Sequence, residues 1–175
     1  LSHNTQIALL TKIFNNIIDH AQSQITPIAN AQFYPNIGKC QVSIVDTGVG
    51  FLHTLQHKYT YLTSESDALS EAIKKEITGS QKIVYGSSIK NVGYGLYYIS
   101  EIIKMTDGYM KIISNNGMLT IQKGIPYYQD IDYPWSGSIV AFELYSDERN
   151  HDLNELLNII KIPETGEDDI IEDIF

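Results

Sequence analysis

The stretch Cys40-Gln-Val-Ser-Ile-Val-Asp46-Thr-Gly48-Val-Gly50-Phe51 joins an apolar strand pattern to Asp-x-Gly-x-Gly-Phe. Side chains alternate along a strand with a period of two, so Cys40, Val42, Ile44 and Asp46 share one face. The first three are apolar, which sets Asp46 at the rim of a buried layer. A carboxylate at the edge of an apolar floor is a good acceptor for an exocyclic amine such as that of adenine. Gly48 and Gly50 open backbone conformations closed to other residues and let a flat ligand approach the main chain. The same residues also suit a strand that ends in an ordinary Asp/Gly turn, and taken alone the motif does not separate the two.

Two further segments carry chemistry. In residues 10–21, Leu10, Ile13, Phe14, Ile17, Ile18 and Ala21 follow helical spacing, while Lys12, Asn15, Asn16, Asp19 and His20 lie off that stripe. Asparagine is a poor mid-helix residue, and two in succession cost helix stability, which points to a task for this polar face. A solvated surface is the plainer account of any one of these residues. In residues 86–104, a glycine-containing stretch leads into Gly93-Tyr94-Gly95-Leu96 and then a helix with Leu96, Ile99, Ile102 and Ile103 on one side. Free N–H groups at a helix N-terminus, approached through glycines, suit a polyphosphate. The segment is neither a Walker loop nor a dinucleotide fingerprint, because no strand runs directly into it.

In this order the segments resemble the GHKL superfamily of ATP-binding domains, which includes DNA gyrase, histidine kinases, mismatch-repair ATPases and anti-sigma-factor serine kinases. The resemblance runs over residues 5–146 and implies ATP and Mg2+ as cofactors. It implies that Asn16 ligates magnesium and that Asp46, with Gly48 and Gly50, holds the adenine. Gly93, Tyr94, Gly95 and Leu96 would form the second glycine box at the base of an ATP lid over residues 79–92. Ser138, within Trp135-Ser-Gly137-Ser138, takes the place of the threonine in the family's final strand.

One departure bears on mechanism. The ATPase and serine-kinase branches often place a glutamate four residues before the magnesium asparagine, as general base; here that residue is Lys12. A protonated lysine cannot take a proton from water or a hydroxyl. Either Asp19 or His20 substitutes, or hydrolysis is slow, or Lys12 contacts phosphate instead. The candidates for a catalytic role are therefore Lys12, Asp19 and His20. None of the five histidines lies in a setting like the phosphoacceptor helix of a sensor kinase. The acceptor is expected on another segment or another protein, and residues 67–80 look closer to standalone bacterial GHKL proteins than to histidine kinases. The expected function is magnesium-dependent ATP binding, with phosphoryl transfer or ATP-driven switching. The alternative is a non-catalytic nucleotide-sensing interaction module.

The 175 residues make one ordinary domain with enough apolar sequence, 43%, for a substantial core. A net charge of −9 argues against non-specific binding to nucleic acid or anionic membrane. The single cysteine, Cys40, excludes an internal disulfide and a multi-cysteine zinc site. No apolar run of bilayer length and no signal peptide are visible, so a cytoplasmic location is expected, as is excision from a longer protein.

The elements that must position these residues follow from pattern. Helices are expected over residues 5–22, 67–77 (capped by Ser66) and 94–105, with a loop of some helical turns over 52–65. Strands at 28–34 and 39–46 form a hairpin across Pro35-Asn-Ile-Gly38. A second hairpin, 109–114 and 118–122, is expected around Asn115-Asn-Gly117, followed by an irregular aromatic connector over 123–136 and a last strand over 139–145. Tyr127, Tyr128, Tyr133 and Trp135 in that connector read as packed cover. The fold class is α+β: a two-layer sandwich, which the resemblance sharpens to a Bergerat-type mixed, mostly antiparallel sheet with helices on one face. Residues 147–175 are expected to add a helix and an acidic tail beyond the 1–146 domain.

Overall fold

The structure is a computed structural model that describes residues 25–74, Ile77 and residues 95–145. Strand β1 (Ile28–Tyr34) turns back into β2 (Lys39–Asp46) through one turn of 3-10 helix, Pro35–Ile37. Both strands have the bounds that their alternation predicts, and the pairing runs in unbroken register from Ile28↔Val45 to Tyr34↔Lys39. Strand β3 (Tyr109–Gln122) and β4 (Ile125–Tyr145) form a second, much longer hairpin. The strand order is β1-β2-β4-β3, and every pairing among the described residues is antiparallel.

This second hairpin corrects the sequence reading. The chain does not reverse at Asn115-Asn-Gly117; it reverses at Lys123-Gly124, where φ is 50° and 74°. Two successive left-handed residues make the tight turn whose twist matches that of paired strands. At Asn115 and Gly117 the ladder instead shifts register. The shift has a visible purpose. Met110, Ile112 and Ser114 face inward at even positions, and beyond the bulge Gly117, Leu119 and Ile121 face inward at odd ones. A hairpin and a bulge both break alternation, and only the partner strand separates them. That partner is β4, which absorbs most of the expected irregular connector. Its Tyr128 packs against the core, whereas Tyr127 and Tyr133 are 62% and 91% exposed and cover nothing.

Helices α1 (Gly50–Gln56), α2 (Glu65–Ala72) and α3 (Gly95–Met105) complete the described fold. α1 supplies the helical turns expected near 52–65. α2 starts and stops earlier than its pattern suggested. Its cap is Ser64 rather than Ser66: the Ser64 hydroxyl accepts the Asp67 N–H at 3.0 Å and the Asp67 carboxylate accepts the Ser64 N–H at 3.1 Å. This reciprocal pair satisfies two groups a helix start would leave open, and Ser66 donates its hydroxyl to Asp130 instead, at 2.6 Å. Leu69, Ile73, Ile99 and Ile103 pack onto Val42, Ile44, Met110, Ile112, Val140 and Phe142, so the helices share one face of the sheet. The result is α+β in two layers, as the pattern of elements predicts. The expected helix at 5–22, the lid at 79–92 and the segment 147–175 lie outside the described residues.

Candidate functional site

The inward face of the sheet changes character in one step. Ile44, Val140 and Ile112 stand side by side across β2, β4 and β3, and all are buried. Two residues on, the same three strands present Asp46, Ser138 and Ser114, which are 3%, 5% and 0% exposed. From the helix layer Glu65, 5% exposed, closes this row. Four of the five buried polar residues among those described lie in it, so the apolar core ends in a continuous polar rim.

Asp46 stands at one end of the rim. Its Oδ1 accepts the Gly48 N–H at 2.7 Å, which folds Asp46-Thr-Gly48 into a tight turn. Burial pushes the carboxyl above its ordinary value, and the Gly48 N–H, then the N–H and hydroxyl of Ser138, pull the other way. Behind it the Trp135 indole N–H donates to the Asp46 backbone oxygen at 3.0 Å. Gly137, at φ 121°, is pressed so close to that oxygen that a Cβ would overlap it. The turn is thus held at side chain and main chain at once.

Glu65 stands at the other end and organises the start of α1. Its carboxylate accepts the Leu52 N–H at 3.2 Å, the Ser114 hydroxyl at 2.8 Å and the Asn115 amide at 2.6 Å. The Ser114 oxygen in turn accepts the Phe51 N–H at 2.9 Å. Two of the open N–H groups at the start of α1 are therefore satisfied by residues from α2 and β3. Gly50 has φ 83°, and a Cβ on it would run into Asn115, Glu65 and Ser114. The second glycine of the motif is required here by close approach and by conformation together.

The structure brings Asp46, Gly48, Gly50 and Ser138 together where β2 ends and α1 begins, beside the interior of β4. Gly95 is the buried first residue of α3, and Leu96 packs against both the main core and the Leu55–Leu62–Ala68 cluster. Asn16, Lys12, Asp19, His20, Gly93 and Tyr94 lie outside the described residues, so the proposed magnesium and phosphate side is not part of this geometry. Sequence reasoning missed Glu65, Ser114 and Asn115 altogether and gave Trp135 no contact with Asp46. Gly117 was a usable signal for Glu65. A Cβ there would overlap Glu65, so the glycine marks a close approach rather than a turn.

No protein-family model matches the chain, and no curated protein does. Among solved structures, the chain is similar to the ATPase region of Saccharomyces cerevisiae topoisomerase II, with 12% identity and a TM-score of 0.41. The alignment covers 89% of this chain and 42% of that one, so the chain spans less than half of that structure. A likeness this distant says nothing of ligand or activity.

Proposed function

We propose that this is a magnesium-dependent ATP-binding domain in which Asp46 reads the adenine amine. The observation that carries the reading is the state of Asp46 itself. It is a carboxylate 3% exposed at the rim of an apolar floor, held by an N–H from its own turn and faced by Ser138. Among the described residues no cation pairs with it. A buried, unpaired carboxylate is costly, and a protein that only needed a strand end would do better with a neutral residue. Its oxygens offer about four acceptor positions, and the Gly48 N–H with the N–H and hydroxyl of Ser138 take up some of them, leaving room for one further donor. An amine donor fits this setting; a carbonyl does not.

ATP and Mg2+ follow from the resemblance of the sequence segments. Asn16 would hold the metal through its amide oxygen, and Gly93 and Gly95 would let main-chain N–H groups meet the phosphates. The metal's contribution is to neutralise phosphate charge, which is much of what phosphoryl transfer requires. Lys12 at the usual general-base position favours slow hydrolysis, and with it an ATP-driven switch over a fast ATPase. A phosphoacceptor, if one is used, belongs to a protein partner or a further segment.

The test is direct titration of the protein with ATP and GTP in the presence of Mg2+. Guanine places an oxygen where adenine places its amine, so a carboxylate would be left facing an acceptor, at a cost of about 1–3 kcal/mol. ATP should bind tighter by roughly tenfold or more. Equal affinity for the two nucleotides would remove Asp46 from the role given it here.

A further inference from the structure

Resting on the reading of Asp46 as the base-recognition group, we propose that Asn115 is a positioning residue that sets how sharply Asp46 discriminates between purines, with Glu65 as its anchor. Asn115 bonds to Val49, Glu65 and Gly137 rather than to Asp46 itself. It lies at the β3 bulge with φ 45°, the left-handed conformation that Asn tolerates better than other side-chain-bearing residues. From there its amide reaches both sides of the Asp46 turn. Its Nδ2 donates to the Val49 carbonyl oxygen at 3.2 Å, between the two glycines of the motif. Its Oδ1 accepts the Gly137 N–H at 3.5 Å, a long bond to the residue pressed against the Asp46 backbone oxygen and adjacent to Ser138. The second Nδ2 bond goes to Glu65 Oε1 at 2.6 Å and orients the amide so that donor and acceptor each meet their target.

Each partner is chemically specific. The position needs a residue that accepts a positive φ, donates twice and accepts once. Asp supplies acceptors only and would face the Glu65 carboxylate; Ser is too short to span Val49 and Gly137 together. The close contacts are built around the same three residues. Gly50 is packed against Asn115, Glu65 and Ser114, and Gly117 against Glu65. A buried glutamate whose partners among the described residues, the Leu52 N–H, the Ser114 hydroxyl and the Asn115 amide, are all neutral is an expensive anchor, since a buried carboxylate costs more than an apolar residue there. What it secures is the angle between the Asp46 turn and the start of α1. That angle fixes the direction in which the Asp46 carboxylate is presented, and hydrogen-bond recognition of an amine depends steeply on that direction.

The experiment compares the unmodified 175-residue protein with Asn115→Gly, which keeps the left-handed backbone and deletes only the amide. Two quantities are read at a temperature where both are folded: the ratio of ATP to GTP affinity, and the hydrogen-exchange rate of the Gly48 and Phe51 amides without nucleotide. The expected result is an ATP/GTP ratio that falls by roughly three- to tenfold, with faster exchange at both amides. A variant that binds both nucleotides with unchanged ratio and exchanges at the original rates overturns the proposal. If the unmodified protein binds neither nucleotide, the reading of Asp46 fails. The exchange rates alone then decide: acceleration at Gly48 supports the clamp, and its absence removes it. Should Asn115→Gly not fold, Glu65→Gln takes its place. It preserves shape but turns one acceptor oxygen into an NH2 that meets a donor, so one side of the anchor is lost, and it should shift the same two quantities in the same direction.

Discussion

On the proposed reading, stability and recognition pull Asp46 in opposite directions. Burial raises its pKa above the ordinary 3.8, so the folded protein keeps this proton to a higher pH than the unfolded chain does. Between the ordinary and the raised value the folded state binds more protons. Stability contributed by this group therefore falls as pH rises through that window, and the ionised carboxylate remains a cost at neutral pH. Recognition of an amine runs the other way, because only the ionised form is purely an acceptor. Asp46→Asn keeps an oxygen for the Gly48 N–H and abolishes the charge. At neutral pH its melting temperature should equal or exceed that of the unmodified protein, while ATP affinity falls at least tenfold. Acidification should weaken ATP binding by the unmodified protein before it unfolds. Thermal melts and titrations at several pH values read both quantities; an Asn variant that melts lower and binds ATP as before reverses both signs.

Local sequence fixed some elements well and others only in part. β1 and β2 have their predicted ends because alternation, Pro35 and Gly38 all agree. α2 was displaced because Ser64 and Ser66 are both plausible caps, and only the third residue after each decides. After Ser64 that residue is Asp67, which closes the capping box, whereas after Ser66 it is Leu69, which is needed in the core. The β3 bulge was read as a turn because Asn-Gly is equally suited to both; what settles it is β4, whose residues lie far along the chain. The turn that Asp46 and its glycines make is legible because it is written in six consecutive residues. The Glu65–Ser114–Asn115 cluster was not, because its members are 49 and 50 residues apart and each is ordinary in its own segment. The corrected cap makes a testable claim. Ser64→Ala removes the acceptor for the Asp67 N–H and should cost about 1 kcal/mol by chemical denaturation, while Ser66→Ala, which loses only the exposed bond to Asp130, should cost less. The reverse order would restore the cap at Ser66.

At the scale of the whole molecule, the proposed function asks a chain of net charge −9 to bind a polyanion, and long-range electrostatics oppose it. Short-range groups would have to win: the Asp46 rim and a metal that offsets phosphate charge. Among the described residues no helix is long and apolar enough to cross a membrane, and no cluster of three His, Cys, Asp or Glu residues stands ready to hold a metal. Under the proposed function, magnesium arrives with the nucleotide and is shared between its phosphates and Asn16. A ligand that binds only the folded state raises stability by mass action, by about 2.7 kcal/mol at a hundredfold excess over Kd. For a domain of this size that corresponds to roughly 5–11 °C in Tm. Trp135, the only tryptophan, bonds to the Asp46 backbone and gives the melt a reporter at the site itself. ATP with Mg2+ should raise Tm in a concentration-dependent way, ATP with a chelator should raise it less, and GTP with Mg2+ should raise it least. In Asn16→Ala the two ATP conditions should converge, since the metal loses its protein ligand while Asp46 still reads the base. A magnesium increment that survives intact in that variant places the metal elsewhere, and a Tm that responds to GTP as strongly as to ATP takes base recognition away from Asp46.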